Sequence, residues 1–231
     1  SIASLFGSDL ATGIEAATSA PLPTVLRGTT VTIRDSAGKD TPAPLFFVSP
    51  SQINFLVPNF VTGDALAIVK SNDKIVGVSE ILNSLVSPGL FSANANGKGV
   101  AAAVALCVAA NGAQTFLPVA RYDQTQQQFV PVPLDLAACD QLYLILYGSG
   151  FRPPSGVSDP KVTVKVGGLD VPTLFVGAAP GFVGLDQINI GPLPRALAGR
   201  GLVDIVVSVD LQAPGGTNGP KPVNAVQAHL K

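Results

Sequence analysis

One stretch of this chain occurs twice. Pro44-Leu45-Phe46-Phe47-Val48, followed closely by Gln52-Ile53-Asn54-Phe55, returns as Pro172-Thr173-Leu174-Phe175-Val176 and, after an insertion, Gln187-Ile188-Asn189-Ile190. Flanking segments repeat in the same order. Residues 4–10 match 145–151 around a shared Gly-Ser pair (Gly7-Ser8 and Gly148-Ser149), Val31-Thr32-Ile33 matches Val162-Thr163-Val164, and residues 63–69 match 201–207. A repeat of roughly 90 residues is too long for a solenoid unit and suits a small domain. The 231-residue chain is therefore expected to be an internal duplication, with modules at residues 1–92 and 140–231. Residues 93–139 match nothing in the first module and are read as a connecting hairpin segment.

The repeat limits the fold class once composition is added. Hydrophobic residues make up 47% of the chain and charged residues only 13%, while 24 Gly and 20 Pro break the apolar positions into short β-branched runs. That pattern predicts an all-β protein: two tandem immunoglobulin-like β-sandwich modules joined by extra β-hairpins. No apolar run reaches the roughly 18 residues of a membrane helix, so no membrane span is expected. The excess apolar surface, at a mean hydropathy of +0.42, must be covered by sheet packing or by neighbouring copies. A net charge of −1 with scattered Lys and Arg gives no basic patch, which argues against a nucleic-acid partner. The absence of Met is read as a processed or truncated N-terminus from which a secretion signal has been removed.

Within this frame, residues 2–6 are a first strand, shorter than its counterpart at 141–147. Ile2, Leu5 and Phe6 are therefore candidates for a donor strand that completes the sheet of another copy. Residues 66–71 and 75–85 form a hairpin about Asn72-Asp73. Residues 100–110 are rich enough in Ala for a helix, but the Asn111-Gly112 turn signal favours a strand. Residues 194–198 read as one helical turn and 214–222 as a flexible loop.

In a strand, Gln52 and Asn54 face one side and Ile53 and Phe55 the other, and the same holds for Gln187 and Asn189 against Ile188 and Ile190. With the apolar side inward, the four amides face outward. Their structural role would be to satisfy loop carbonyls and amides; their functional role would be to bind sugar hydroxyls. Recurrence in both modules favours the first, because a scaffold device must recur and a site need not. The two cysteines, Cys107 and Cys139, both fall in the connecting segment. They are either separate buried thiols or one disulfide, which in the chain-entropy model would contribute roughly 3–4 kcal/mol and imply an oxidising compartment. Two thiols without further ligands do not complete a zinc shell.

With these residues placed, the chain resembles the uncharacterised C-terminal domain family of Solibacter and other acidobacteria. The matching stretches are residues 1–7, 21–24, 44–55, 87–91, 144–152 and 180–189, the last being the most specific. The resemblance implies secreted or cell-surface proteins built of modules similar to TIG/IPT sandwiches, and no established activity or catalytic residues. The cysteines are not part of that pattern.

No catalytic or cofactor constellation is found in the sequence. The single histidine, His229, is two residues from the end and is expected to be an exposed terminal side chain. Residues 177–184 are glycine-rich but lack the strand-to-helix context of a nucleotide loop. Asp35, Asp40 and Asp73 lack EF-hand spacing. The expectation is a non-enzymatic extracellular structural protein, without cofactors, that associates with copies of itself at the cell surface or in a filament, by strand addition as one route. The alternative is a carbohydrate-binding or adhesive accessory module of a larger secreted protein, with a surface glycan as partner and Tyr122 as a candidate contact.

Overall fold

The computed structural model describes residues 1–58, 64–81, 86–153, 158–210 and 221–231. Strands dominate and the only helical elements among the described residues are two single 3-10 turns, Leu136–Ala138 and Arg195–Leu197, the second within the helical turn expected at 194–198. No helix is long and apolar enough to cross a membrane. The chain divides into two compact units, one formed by Ser1–Leu85 and the other by Val86–Pro153 and Val157–Lys231.

The first unit contains β1 (Ile2–Phe6), β2 (Glu15–Ala16), β3 (Thr29–Arg34), β4 (Asp40–Pro42), β5 (Leu45–Val48), β6 (Gln52–Leu56), β7 (Ala65–Ser71) and β8 (Lys74–Ile81). They form two four-stranded sheets, ordered β1-β6-β5-β2 and β4-β3-β7-β8. Alternation in β3 and β6 turns Val31, Ile33, Ile53 and Phe55 inward, where they meet Leu45, Val48, Ala67 and Val69 in one apolar core drawn from both sheets. Asn72 and Asp73, at φ 48° and 64°, make the β7–β8 turn, the left-handed pair that a tight hairpin demands. Residues 82–85 of the expected second strand lie outside the described residues.

The second unit contains β9 (Gly89–Leu90), β10 (Ala103–Val108), β11 (Gln114–Pro118), β12 (Ala120–Asp123), β13 (Gln128–Pro131), β14 (Pro133–Leu134), β15 (Gln141–Ser149), β16 (Lys161–Val166), β17 (Leu169–Val171), β18 (Thr173–Ala178), β19 (Asp186–Ile190), β20 (Gly201–Asp210), β21 (Lys221–Pro222) and β22 (Val226–Leu230). One sheet runs β11-β10-β15-β19-β18, with β9 also on β15; the other runs β14-β22-β20-β16-β17, with β21 also on β20; β12 and β13 pair separately. Leu144, Leu146, Ile188 and Ile190 of the first sheet pack with Val164, Ile205, Val207 and Ala228 of the second. Residues 214–220 of the expected flexible loop lie outside the described residues.

The two units share strand order and register where the sequence repeats. Ala3↔Phe55, Ser4↔Asn54, Leu5↔Ile53 and Phe6↔Gln52 between β1 and β6 correspond position by position to Leu144↔Ile190, Ile145↔Asn189, Leu146↔Ile188 and Tyr147↔Gln187 between β15 and β19. The β5–β6 and β18–β19 hairpins even carry the same irregularity, between Leu45 and Phe47 in one and Thr173 and Phe175 in the other. The repeat at β3 needs a correction. Ile33 pairs with Ala67 and Val166 with Ile205, so Val31-Thr32-Ile33 corresponds to Val164-Lys165-Val166, two residues beyond the sequence match. Alternating valines make a two-residue slip invisible in sequence, because it leaves the same face apolar.

Residues 93–139 belong to the second unit and extend both of its sheets. β10 lies against β15 from Ala103↔Leu146 to Val108↔Gln141, and β14 lies parallel to β22. Ala105, fully buried, shows why β10 is a strand and not a helix: alternate residues reach the core over Leu144.

Candidate functional site

The Gln-Ile-Asn motif is the natural starting point, since it organises both units. In each copy the isoleucine is buried and the amides lie half-buried on the opposite face. Gln52 Nε2 donates to Asn54 Oδ1 at 2.8 Å, and Gln187 Nε2 donates to Asn189 Oδ1 at the same distance. Ser4 Oγ adds a second donor to Asn54 Oδ1, across the β1–β6 pair. The amides thus bond to each other along the strand, whereas the sequence suggested bonds to loop backbone. A residue and its second neighbour share a face, and a Gln side chain is long enough to span that step to an Asn.

The loop backbone is satisfied by other groups. In the first unit the Pro50-Ser51 turn is closed by Ser49, whose Oγ accepts from Gln52 N at 2.9 Å, and the chain leaving β1 braces it through Gly7 N to Ser51 O and Leu10 N to Pro50 O. In the second unit the longer 179–185 loop is braced by the chain leaving β15: Ser149 Oγ donates to Gly184 O at 3.0 Å. Asp186, 1% exposed, accepts from Phe151 N at 2.9 Å and from Arg152 Nε at 2.5 Å. This carboxylate is a structural bracket.

Cys107 and Cys139 form a disulfide. It ties β10 to the turn that enters β15, so it fastens the added strand to the sheet it extends. Nearby, the Arg195 guanidinium donates to the carbonyls of Leu136, Cys139 and Asp140 and closes the same turn from the other side.

Two of the aspartates considered in the sequence, Asp40 and Asp35, are occupied structurally. The Arg34 guanidinium grips Asp40 with two bonds, Nε to Oδ1 at 2.6 Å and Nη2 to Oδ2 at 2.8 Å, and these hold the Asp40 carboxyl below the usual carboxylate range. Asp35 Oδ1 accepts from Ala37 N and Lys39 N, shaping the β3–β4 turn. Among the described residues no three His, Cys, Asp or Glu side chains converge as a metal site. His229 is half-buried within β22, opposite Pro133 and Leu202, and not an exposed terminal side chain. Sequence position alone misplaced it, because the last strand runs to Leu230.

The expected donor strand is used within its own chain. β1 pairs along its length with β6, and Ala3 and Leu5 pack against the first unit's core. Among the described residues it is nevertheless the end strand of its sheet, and Phe6 is 74% exposed on its outer face. The register-matched strand of the second unit, β15, has that same side covered by β10. Sequence reasoning singled out β1 for its shortness; the property that distinguishes it is that, among the described residues, no strand pairs on the side where its counterpart is paired.

No protein-family model matches the chain, and no curated protein sequence matches it.

Proposed function

We propose that this protein is a non-enzymatic extracellular structural protein that associates with copies of itself through sheet edges. The observation that carries this reading is the contrast between β1 and β15: same register on one side, but β10 pairs with the other side of β15, whereas among the described residues no strand pairs with the corresponding side of β1. A strand that ends a sheet can offer backbone donors and acceptors to another strand. The second unit has a comparable end strand in β11, whose Phe116 is 63% exposed. Two different edges in one chain support an open polymer as well as a closed pair. The disulfide supports an oxidising, extracellular setting. The shared strand order supports an internal duplication, and the resemblance to the acidobacterial C-terminal domains is consistent with it.

The test is light scattering with electron microscopy on the wild type, Phe6→Lys and Phe116→Lys. Both side chains are exposed, so neither change disturbs a core, and a lysine at an edge disfavours strand addition. Assemblies larger than a dimer are expected for the wild type. Single variants that stop at dimers identify like-to-like edges, and single variants that are monomeric identify β1 meeting β11. A wild type that stays monomeric at high concentration removes the reading.

A further inference from the structure

We propose that the second unit carries a binding cleft for a neutral glycan segment, where the 92–99 loop meets the β12–β13 hairpin and β22. The cleft has a volume of about 570 Å³, within the range of small-molecule sites, about 300–1,000 Å³. It stands apart from self-association, since none of its residues lies in β1 or β11.

The walls are fixed before any ligand arrives. Ser92 Oγ accepts from Asn96 N and Gly97 N and donates to Asn96 Oδ1, which holds the loop in a tight turn. Asn94 clamps that loop to the hairpin with two bonds to the Phe129 backbone, accepting at 2.7 Å and donating at 2.8 Å. On the other side Gln227 N donates to Gly99 O at 2.7 Å. A cleft already ordered by such contacts avoids the entropy of closing on its ligand.

The remaining polar groups define the ligand's chemistry. Asn94 uses both ends on Phe129, and the other four lining amides each use one end inside the protein: Asn96 and Gln126 accept through their oxygens, and Gln128 and Gln227 donate through their nitrogens, to Gln126 and Asp204. That leaves the amide nitrogens of Asn96 and Gln126 as donors and the amide oxygens of Gln128 and Gln227 as acceptors on residues that line one cleft. A hydroxyl both donates and accepts, so a polyhydroxylated ligand matches this mixed set. An anion would meet two carbonyl oxygens, and Lys98 is the single charged lining residue. Apolar surface is present as well. Phe129 is 40% exposed and is held edge-on by Tyr122, with ring centroids 5.4 Å apart, and Leu202 is 51% exposed. Together they offer a surface for the C–H face of a sugar ring.

The experiment is isothermal titration calorimetry of the intact chain with cellohexaose, xylohexaose, mannohexaose and chitohexaose, with polygalacturonate as the charged comparison. At least one neutral oligosaccharide is expected to bind. Gln128→Ala and Gln227→Ala should each weaken binding by roughly tenfold, the effect of one lost hydrogen bond of about 1.4 kcal/mol, with an unchanged melting temperature. Phe129→Ala should weaken it further. The proposal is overturned if none of the four oligosaccharides binds at millimolar concentration, if polygalacturonate alone binds, or if the two glutamine variants bind as the wild type does.

Discussion

Opening the Cys107–Cys139 disulfide should loosen the second unit and leave the first intact. The bridge spans 32 residues of sequence; in the chain-entropy model, closing a loop of that length stabilises the folded state by about 3.7 kcal/mol at 25 °C. For a unit of this size each kcal/mol moves the melting temperature by about 2–4 °C, so reduction should lower it by roughly 10 °C. The assay is calorimetry of oxidised and reduced protein beside Cys107→Ala/Cys139→Ala, with hydrogen exchange to assign each transition. The variant separates the bridge from packing, since Cys139 is 3% exposed in the core and Cys107 packs against it. Reduced wild type should melt above the double variant by the small amount owed to lost thiol packing, and both well below the oxidised protein. Exchange should rise in β10 and β15 while β3 and β7 keep their protection. The reasoning is refuted if oxidised and reduced protein melt within about 2 °C of each other, or if reduction first exposes the first unit.

Two further outcomes follow from the ion pairs. Asp186→Ala removes the acceptor for Phe151 N and the partner of Arg152, and should cost about 2–4 kcal/mol in urea unfolding. Arg152→Ala leaves the buried Asp186 carboxylate with the Phe151 amide but without its cation, and should cost about 1–3 kcal/mol, the half-exposure of Arg152 keeping it below a fully buried pair. Asp40 and Asp135 are both held below the usual carboxylate range, Asp40 by its bond from Arg34 and Asp135 by its bond from Ala137 N, with Lys231 adding to it. A depressed carboxyl stabilises the fold above its unfolded value of about 3.9 and loses that contribution as pH falls through the folded value. NMR titration of Arg34→Ala should therefore show the Asp40 carboxyl moving up toward its ordinary range, with Asp135 unmoved.

The repeated motif and the alternation in it were enough to place the paired hairpins, their inward faces and the outward amides, because a two-residue period with one buried side tolerates no single-residue slip. The partners of those amides were not legible. Whether Gln52 reaches Asn54 or a loop carbonyl depends on side-chain rotamers and not on residue type. The β3 equivalence slipped by two for the complementary reason: Val162, Val164 and Val166 present the same pattern at either offset. The cleft was hidden more deeply. Its lining comes from residues 94–100, 126–131, 202 and 227, each polar stretch reading as an ordinary turn until the sheets bring them together. Tyr122, a candidate sugar contact in the sequence, turns out to be the support behind Phe129.

The two units differ most in how they end their sheets, and that difference bears on assembly. In the second unit, residues 93–139 supply β10 beside β15 and β14 beside β22. The first unit has the counterparts of both covered strands, β1 and β8, each ending a sheet. β8 exposes Ile75 and Val78 but carries the features that keep an edge from pairing: an irregularity between its partners Val69 and Lys70, which leaves Val76 unmatched, and charged residues Lys74 and Glu80. β1 pairs regularly with β6, has no charge or proline, and ends in an exposed phenylalanine. Of the two strands that the insertion would otherwise cover, β8 carries such features in its own sequence and β1 does not. A strand kept merely from aggregating would carry such features in both places, so the asymmetry is in keeping with the proposed association through β1.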